Sequence, residues 1–268
     1  MLRDLLEYVR NPYPWYLAPM GYVRELTGIA DRARDLALEW RDHLERSRSI
    51  IEESAEACSD RGTVLVVGSG NLLDVPLEML CRRFDRVVLL DILHSHAVRR
   101  AVRGHRNVEL ITADVTGVAH SVFQAARARY VHTLPKSVPP GLDARTFDLV
   151  VSVNLLSQLG VVPCNFLKGH CPAIPPARLS AFTRDLIETH LQWITDRGHR
   201  TCLITDVARI ETLSSGDVIE KDIVEGVRLP EPDAAWSWQI APEGRIYRDR
   251  AAVHHVQAYR DFHPLNQA

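Results

Sequence analysis

VLVVGSGNLLD, Val64 to Asp74, is the stretch that decides the fold. Its four leading apolar residues read as a strand buried on both faces, as a parallel sheet covered by helices requires. The strand runs into Gly68-Ser69-Gly70, where missing side chains let backbone approach a ligand closely. The chain then opens a helix, whose N-terminal amides attract negative charge.

Working outward, β-branched runs alternate with helical stretches. The runs are TVLVV (63–67), RVVLL (86–90), NVELIT (107–112), FDLVVSV (147–153) and RTCLIT (200–205), with helical candidates at 75–84, 94–102, 118–129 and about 176–197. This alternation is the sequence form of βαβ units and predicts a parallel α/β sheet. Toward the C-terminus WSWQI (236–240), a Pro-Glu-Gly turn (242–244), RIYR (245–248) and AVHHVQAY (252–259) read as strands joined by short turns, hence an antiparallel edge. Before Gly62 the pattern is helical. Leu2, Leu5, Leu6 and Val9 share one helix face, the Pro-rich NPYPWYLAP (11–19) interrupts it, and an amphipathic region runs from about Tyr22 to Cys58 with a bend expected at Gly28. The expected division is an N-terminal helical cap, 1–60, and an α/β domain, 61–268. There is no internal repeat and no low-complexity segment.

The 268 residues are 46% hydrophobic and 25% charged, an ordinary globular composition. Thirty-two Lys and Arg against 34 Asp and Glu give a formal charge of −2, which offers no overall basic field to hold nucleic acid or an anionic membrane. The five cysteines, Cys58, Cys81, Cys164, Cys171 and Cys202, are odd in number and scattered, so a reducing cytoplasm suits them better than a disulfide framework. MLRDLLEYVR lacks the continuous apolar segment of a secretory signal. The longest uncharged run, Leu149 to Leu167, has the length of a membrane span but contains two Ser, two Asn, a Gln, a Gly and a Pro. It reads as a buried strand plus a loop in a soluble protein.

Seventeen residues past Asp74, the second strand ends in Asp91. An acid at the tip of the strand beside a glycine loop can accept both hydroxyls of a ribose. These two features do not separate a nicotinamide dinucleotide from S-adenosylmethionine. The third strand, ELITADV, places Asp114 at its carboxyl end, where it can accept from an adenine amine while the next backbone unit reads the ring edge. Ligands of open α/β sheets sit outside these strand ends, so Gly68, Asp91 and Asp114 are expected to converge. Each acid also has a purely structural reading, Asp91 as a cap of the following turn and Asp114 as a cap of the helix near Thr116.

With these residues in place, the run from Thr63 to Gly160 resembles the class I S-adenosylmethionine-dependent methyltransferase superfamily. GSGNLLD matches its glycine loop with trailing acid Asp74, Asp91 its ribose acid, Asp114 its adenine acid, and FDLVVSVNLLSQLG its fourth-strand segment. The resemblance implies a Rossmann-like, seven-stranded, mostly parallel sheet with an antiparallel C-terminal strand over roughly residues 60 to 260, S-adenosyl-L-methionine as cofactor, and methyl transfer as the activity. It implies cofactor contacts from Gly68, Ser69, Gly70, Asp74, Asp91, Ile92, Asp114, Val115, Asn154 and Leu155, with Asn154 the polar side chain against the methionine moiety. Two departures are visible. Leu73 stands where the dinucleotide fingerprint has its third glycine, which disfavours a dehydrogenase, and Leu72 stands where the superfamily often has a further glycine.

Methyl transfer from a sulfonium needs alignment more than a catalytic motif. The expected acceptor is a small molecule, since the Asn/Asp-Pro-Pro-Tyr/Phe signature of enzymes acting on nucleic-acid bases is absent after the fourth strand. Tyr13-Pro14-Trp15-Tyr16 is either a lid over cofactor or substrate, with Tyr16 a candidate catalytic side chain, or a staple for the N-terminal helices. Arg24 and Arg32 are candidates to reach a carboxylate. His94 with His96, and Cys164 with His170 and Cys171, lack zinc-site spacing, so no metal is expected. His170, in the loop VPCNFLKGHCPAIPP, is the candidate general base. Trp236 and Trp238 either pair across a homodimer or pack on helices of their own chain. Two other classes stay open: a noncatalytic module that binds an adenosyl ligand, and a nicotinamide-dependent oxidoreductase.

Overall fold

The computed structural model describes residues 13–129, 131–142 and 146–265, so the helix expected over Leu2 to Val9 lies outside the described residues. Five parallel strands form the frame: β1 (Thr63–Val67), β2 (Arg86–Asp91), β3 (Val108–Thr112), β4 (Leu149–Val153) and β5 (Thr201–Leu213). Three further strands, β6 (Val218–Asp222), β7 (Ala234–Ala241) and β8 (Arg250–Tyr259), are antiparallel to their neighbours. The continuous order is β3-β2-β1-β4-β5-β8-β7, seven strands, and β6 pairs with β5 off this path. The sheet is therefore the mostly parallel α/β sheet with an antiparallel C-terminal edge that the alternation predicts, with one added strand. The strand order reverses between the parallel neighbours β1 and β4, and the crevice at such a switch point is where ligands of doubly wound sheets sit.

The helices are α1 (Leu17–Met20), α2 (Tyr22–Asp35), α3 (Ala37–Glu56), α4 (Leu77–Arg83), α5 (His96–Ala101), α6 (Ala119–Ala128), α7 (Val161–His170) and α8 (Pro176–Thr195). Because strands of a parallel sheet are covered on both faces, their side chains alternate between two cores. Leu65, Val67, Val88 and Leu90 share one with Leu17, Val23 and Leu26 of the N-terminal helices, and Val64, Val66, Val87 and Leu89 share the other with Trp40, Ile50 and Ile51 of α3.

Four local expectations are corrected. The N-terminal helix does not bend at Gly28; α2 runs through it, and the break falls at Leu36, a fully buried side chain whose backbone (φ −116°, ψ 32°) turns the chain into α3. The segment around Cys164 is helix α7, not a loop, because Pro163 occupies the first turn, where its missing N–H is not needed. The fifth strand runs on past Thr205 to Leu213, since its second half finds partners in both β6 and β8. RIYR is not a strand but an exposed turn closed by a single bridge between Glu243 and Tyr247. Among the described residues no helix is long and apolar enough to cross a membrane.

Candidate functional site

A cavity of about 410 Å³ opens at the carboxyl ends of β1, β2 and β4. One end is built by the glycine bend. Gly68 has φ +78°, and a Cβ there would lie 2.9 Å from Leu155 Cβ and 3.1 Å from the Val153 carbonyl. A side chain is thus excluded by both backbone conformation and the close approach of the β4 end. The amide of Gly70 donates to Asp91 Oδ2 at 2.8 Å, and that of Leu93 to Oδ1 at 3.3 Å, so Asp91 ties the bend to its own strand end. Burial pushes the Asp91 carboxyl up to about 6, against the lowering effect of these amides. Helix α2 closes over the bend through Asn71 Nδ2, which donates to the Leu26 carbonyl at 3.0 Å.

Asn154, just past β4, is held at φ +48°, a conformation costly for a residue with a side chain and one that Asn tolerates better than most. Its Nδ2 lies 2.6 Å from Asp74 Oδ2 and 3.1 Å from His43 Nε2. Burial raises the Asp74 carboxyl, partly offset by the Asn154 bond. Trp236 Nε1 donates to His43 Nδ1 at 3.1 Å, and an indole can only donate, so the proton of neutral His43 sits on Nε2 and faces the Asn154 amide. Burial holds His43 down at about 4 and hence neutral near pH 7. With Nδ2 toward Asp74, Asn154 Oδ1 is buried and without a partner. Turning the amide over to receive His43 Nε2–H places Nδ2 in that orphaned position instead. Either way, one polar atom of a cavity-lining amide is buried without a hydrogen bond, which native interiors rarely leave uncompensated.

The other end of the cavity rests on the antiparallel strands. Asp206 and Arg209 of β5, three apart, would face opposite sides of a regular strand. A register shift between Asp206 and Ala208 puts both on the side of His254, and Arg209 pairs directly with His254, which pairs in turn with Trp238 of β7. His254 Nδ1 meets Asp206 Oδ2 at 2.5 Å, Ser157 Oγ donates to Asp206 Oδ1 at 2.7 Å, and Arg209 NH1 lies 3.1 Å from His254 Nε2. Since Arg209 can only donate, Nε2 is the acceptor and the single ring proton sits on Nδ1, toward Asp206. Burial pushes Asp206 up, but the hydrogen bonds from His254 and Ser157 outweigh it and leave the carboxyl below its ordinary value. Trp238 crosses His254 edge-on at 5.8 Å and stacks on His43 at 3.9 Å, linking the two ends.

Of the residues singled out from the sequence, Gly68, Ser69, Gly70, Asp74, Asp91, Ile92, Asn154 and Leu155 line this one cavity, as does Arg32. Asp114 and Val115 do not. The Asp114 carboxylate accepts from Thr116 N (2.9 Å), Thr116 Oγ1 (2.6 Å) and Ala119 N (2.8 Å), bonds that hold the start of α6, and Val115 is buried in the core. Both candidate catalytic side chains also lie elsewhere. His170 ends α7, is tied to the Phe166 carbonyl at 2.8 Å, and faces a separate depression with Arg129 and Arg178. Tyr16 packs on His120 and Phe123 with ring centroids 5.0 and 6.0 Å away, the stapling role rather than the lid. Arg24 is exposed on α2, away from the cavity.

Trp236 and Trp238 are covered by α3 of their own chain, through His43 and Trp40. His94 is fully buried between Ser69 and Thr112, and among the described residues no group of three or more His, Cys, Asp or Glu is placed to hold a metal ion. Asp206, Arg209, His254, His43 and Trp40 carry no sequence signal that marks them as site residues. The adjacent histidines of AVHHVQAY are conspicuous, but only the strand register reveals which of the two faces inward.

No family model matches the chain, and no curated protein matches it. Among solved structures it is similar to a DhpI–SAH complex, at 16% identity over 90% of this chain and 96% of that chain with a TM-score of 0.37. It is similar to N-methyltransferase NodS from Bradyrhizobium japonicum WM9 in complex with S-adenosyl-L-homocysteine, at 13% identity over 95% and 97% with a TM-score of 0.33. It is also similar to the 23S rRNA methyltransferase ErmE, at 13% identity over 82% and 71% with a TM-score of 0.30.

Proposed function

We propose that this chain is an S-adenosylmethionine-dependent methyltransferase acting on a small molecule. One observation carries the reading: the side-chain-free bend at Gly68, the buried carboxylate of Asp91 and the amide of Asn154 with its unpartnered polar atom meet in a single cavity at the switch point of the sheet. Asp91 would accept the ribose hydroxyls, and Ile92 beside it offers an apolar wall for a base. Asn154 and Asp74 would hold the methionine end, whose ammonium and carboxylate can satisfy the orphaned atom in either orientation of the amide. The bound cofactor supplies an activated methyl group on a sulfonium. The protein's own task is to orient the acceptor and exclude water, and Trp40, Leu44, Trp238 and Ile240 line the half of the cavity available for it. Enclosure by α2 and α3 favours a small acceptor over a polymer. Five free thiols suit a reducing cytoplasm.

Titration calorimetry of the full chain with S-adenosylhomocysteine, S-adenosylmethionine and NAD tests the reading. Binding of the two adenosyl sulfur compounds without NAD is the expected result; binding of NAD alone would overturn it in favour of the oxidoreductase.

A further inference from the structure

We propose that His254 is the general base of this site, taking the proton of a hydroxyl borne by a planar, apolar acceptor, with Asp206 as its positioning residue. The inference rests on the methyltransferase reading and deepens it by naming the acceptor class.

Asp206 and His254 are only 3% and 7% exposed, yet both line the cavity that holds the glycine bend. A buried imidazole–carboxylate pair is a poor way to stabilise a fold, because desolvation consumes most of the attraction. Its setting is instead that of a base held ready: Asp206 fixes the Nδ1 proton, Ser157 fixes Asp206, and the free electron pair of Nε2 turns to the far side of the ring. In the structure that pair is met by Arg209 NH1. The guanidinium is itself anchored, with Nε donating to Glu211 Oε1 at 2.7 Å and NH2 to Tyr247 at 3.3 Å. An acceptor hydroxyl that displaces the bond from Arg209 NH1 would donate to Nε2 in its place, with its oxygen beside the positive charge that Glu211 and Tyr247 hold nearby.

This arrangement selects among acceptors. An oxygen that becomes anionic as it loses its proton gains from Arg209, whereas an ammonium group would be repelled by it. Trp40 and Trp238 meet edge-on at 5.0 Å beside the dyad, offering aromatic surface to a flat apolar body. In the step, the acceptor O–H bond breaks and its proton passes to Nε2, giving an imidazolium held by the Asp206 carboxylate. S-adenosylmethionine supplies the methyl: a C–O bond forms at the acceptor oxygen as the C–S bond breaks with its electron pair kept by sulfur.

The test uses the full chain, with its histidines labelled with nitrogen-15, saturated with S-adenosylhomocysteine, and titrated with 2-naphthol and with its methyl ether, 2-methoxynaphthalene. The ether is the product-like probe, so size alone does not exclude it. 2-Naphthol is expected to bind at least tenfold more tightly than the ether and to move the ring-nitrogen resonances that vanish in His254→Gln. That variant is expected to lose the preference while keeping its affinity for S-adenosylhomocysteine, and Asp206→Asn to alter the His254 tautomer signature. Equal affinities for the two probes, no binding of 2-naphthol, or a preference that survives His254→Gln would overturn the inference. Wild-type protein that fails to bind S-adenosylhomocysteine would instead overturn the cofactor reading.

Discussion

The two ends of the cavity are assembled in different ways. At the glycine end every key group lies at the tip of a parallel strand: Gly68 after β1, Asp91 at the end of β2, Asn154 after β4. Their convergence follows from parallel pairing alone, since strand ends in one sheet must lie side by side. At the dyad end the groups come from antiparallel strands and meet across a bulge, with Asp206 and His254 separated by 48 residues. Nothing in the local sequence fixes that pairing. Sites at parallel strand tips can be read from spacing, whereas sites built on cross-strand register need the register first.

The contrast can be broken at several points. The largest effect is expected at Asp91. Replacing Asp91 by Ala removes a charged acceptor from two ribose hydroxyls, each such bond being worth about 1.5–3 kcal/mol, so affinity for S-adenosylhomocysteine should fall by about 100-fold or more in calorimetry. Unchanged affinity would remove Asp91 from the site. The same group sets a pH dependence. Its carboxyl, raised to about 6 by burial, must ionise to accept the ribose, so binding below pH 6 expels a proton and affinity should drop about tenfold per pH unit there while staying flat above pH 7. Without ligand the sign is opposite: the folded state prefers the protonated carboxyl, so the contribution of Asp91 to stability is greatest below its unfolded value near 4 and declines as pH rises through 6.

A smaller effect is expected at Asp114. Asp114→Ala loses the cap of α6 and should cost about 1–2 kcal/mol of stability in thermal or denaturant unfolding, with far less change in S-adenosylhomocysteine affinity than Asp91→Ala. Comparable affinity losses in the two variants would return Asp114 to the cofactor. The smallest belongs to His170→Ala, at an exposed helix end, which should shift stability by no more than about 0.5 kcal/mol and leave ligand affinity unchanged.

Much of the fold was legible because its signals are periodic and local. Apolar β-branched runs divided by helical stretches defined the five parallel strands, and the glycine bend with Asp91 marked the crevice. Asp114 is ambiguous in the sequence because a carboxylate at a strand end has two uses, ligand acceptor and helix cap, and sequence spacing is the same for both. The hydroxyl and amide partners that favour the cap, Thr116 and Ala119, act through geometry. His170 drew notice by its unusual surroundings, yet Pro163 and Gly169 did not prevent a helix that carries it away from the cavity. His43, deep on α3, looked like one more polar residue of an amphipathic helix. Only the folded chain brings it between Asn154 and the stacked ring of Trp238, where it joins both ends of the cavity.

A crystal structure of the chain with S-adenosylhomocysteine bound is the most direct measurement. The ribose hydroxyls should lie within hydrogen-bond distance of the Asp91 carboxylate, the methionine end against Asn154, and the sulfur should face the half of the cavity that contains His254. A ligand seated with its ribose away from Asp91, or in the depression beside His170, would contradict the division of this cavity into a cofactor end and an acceptor end.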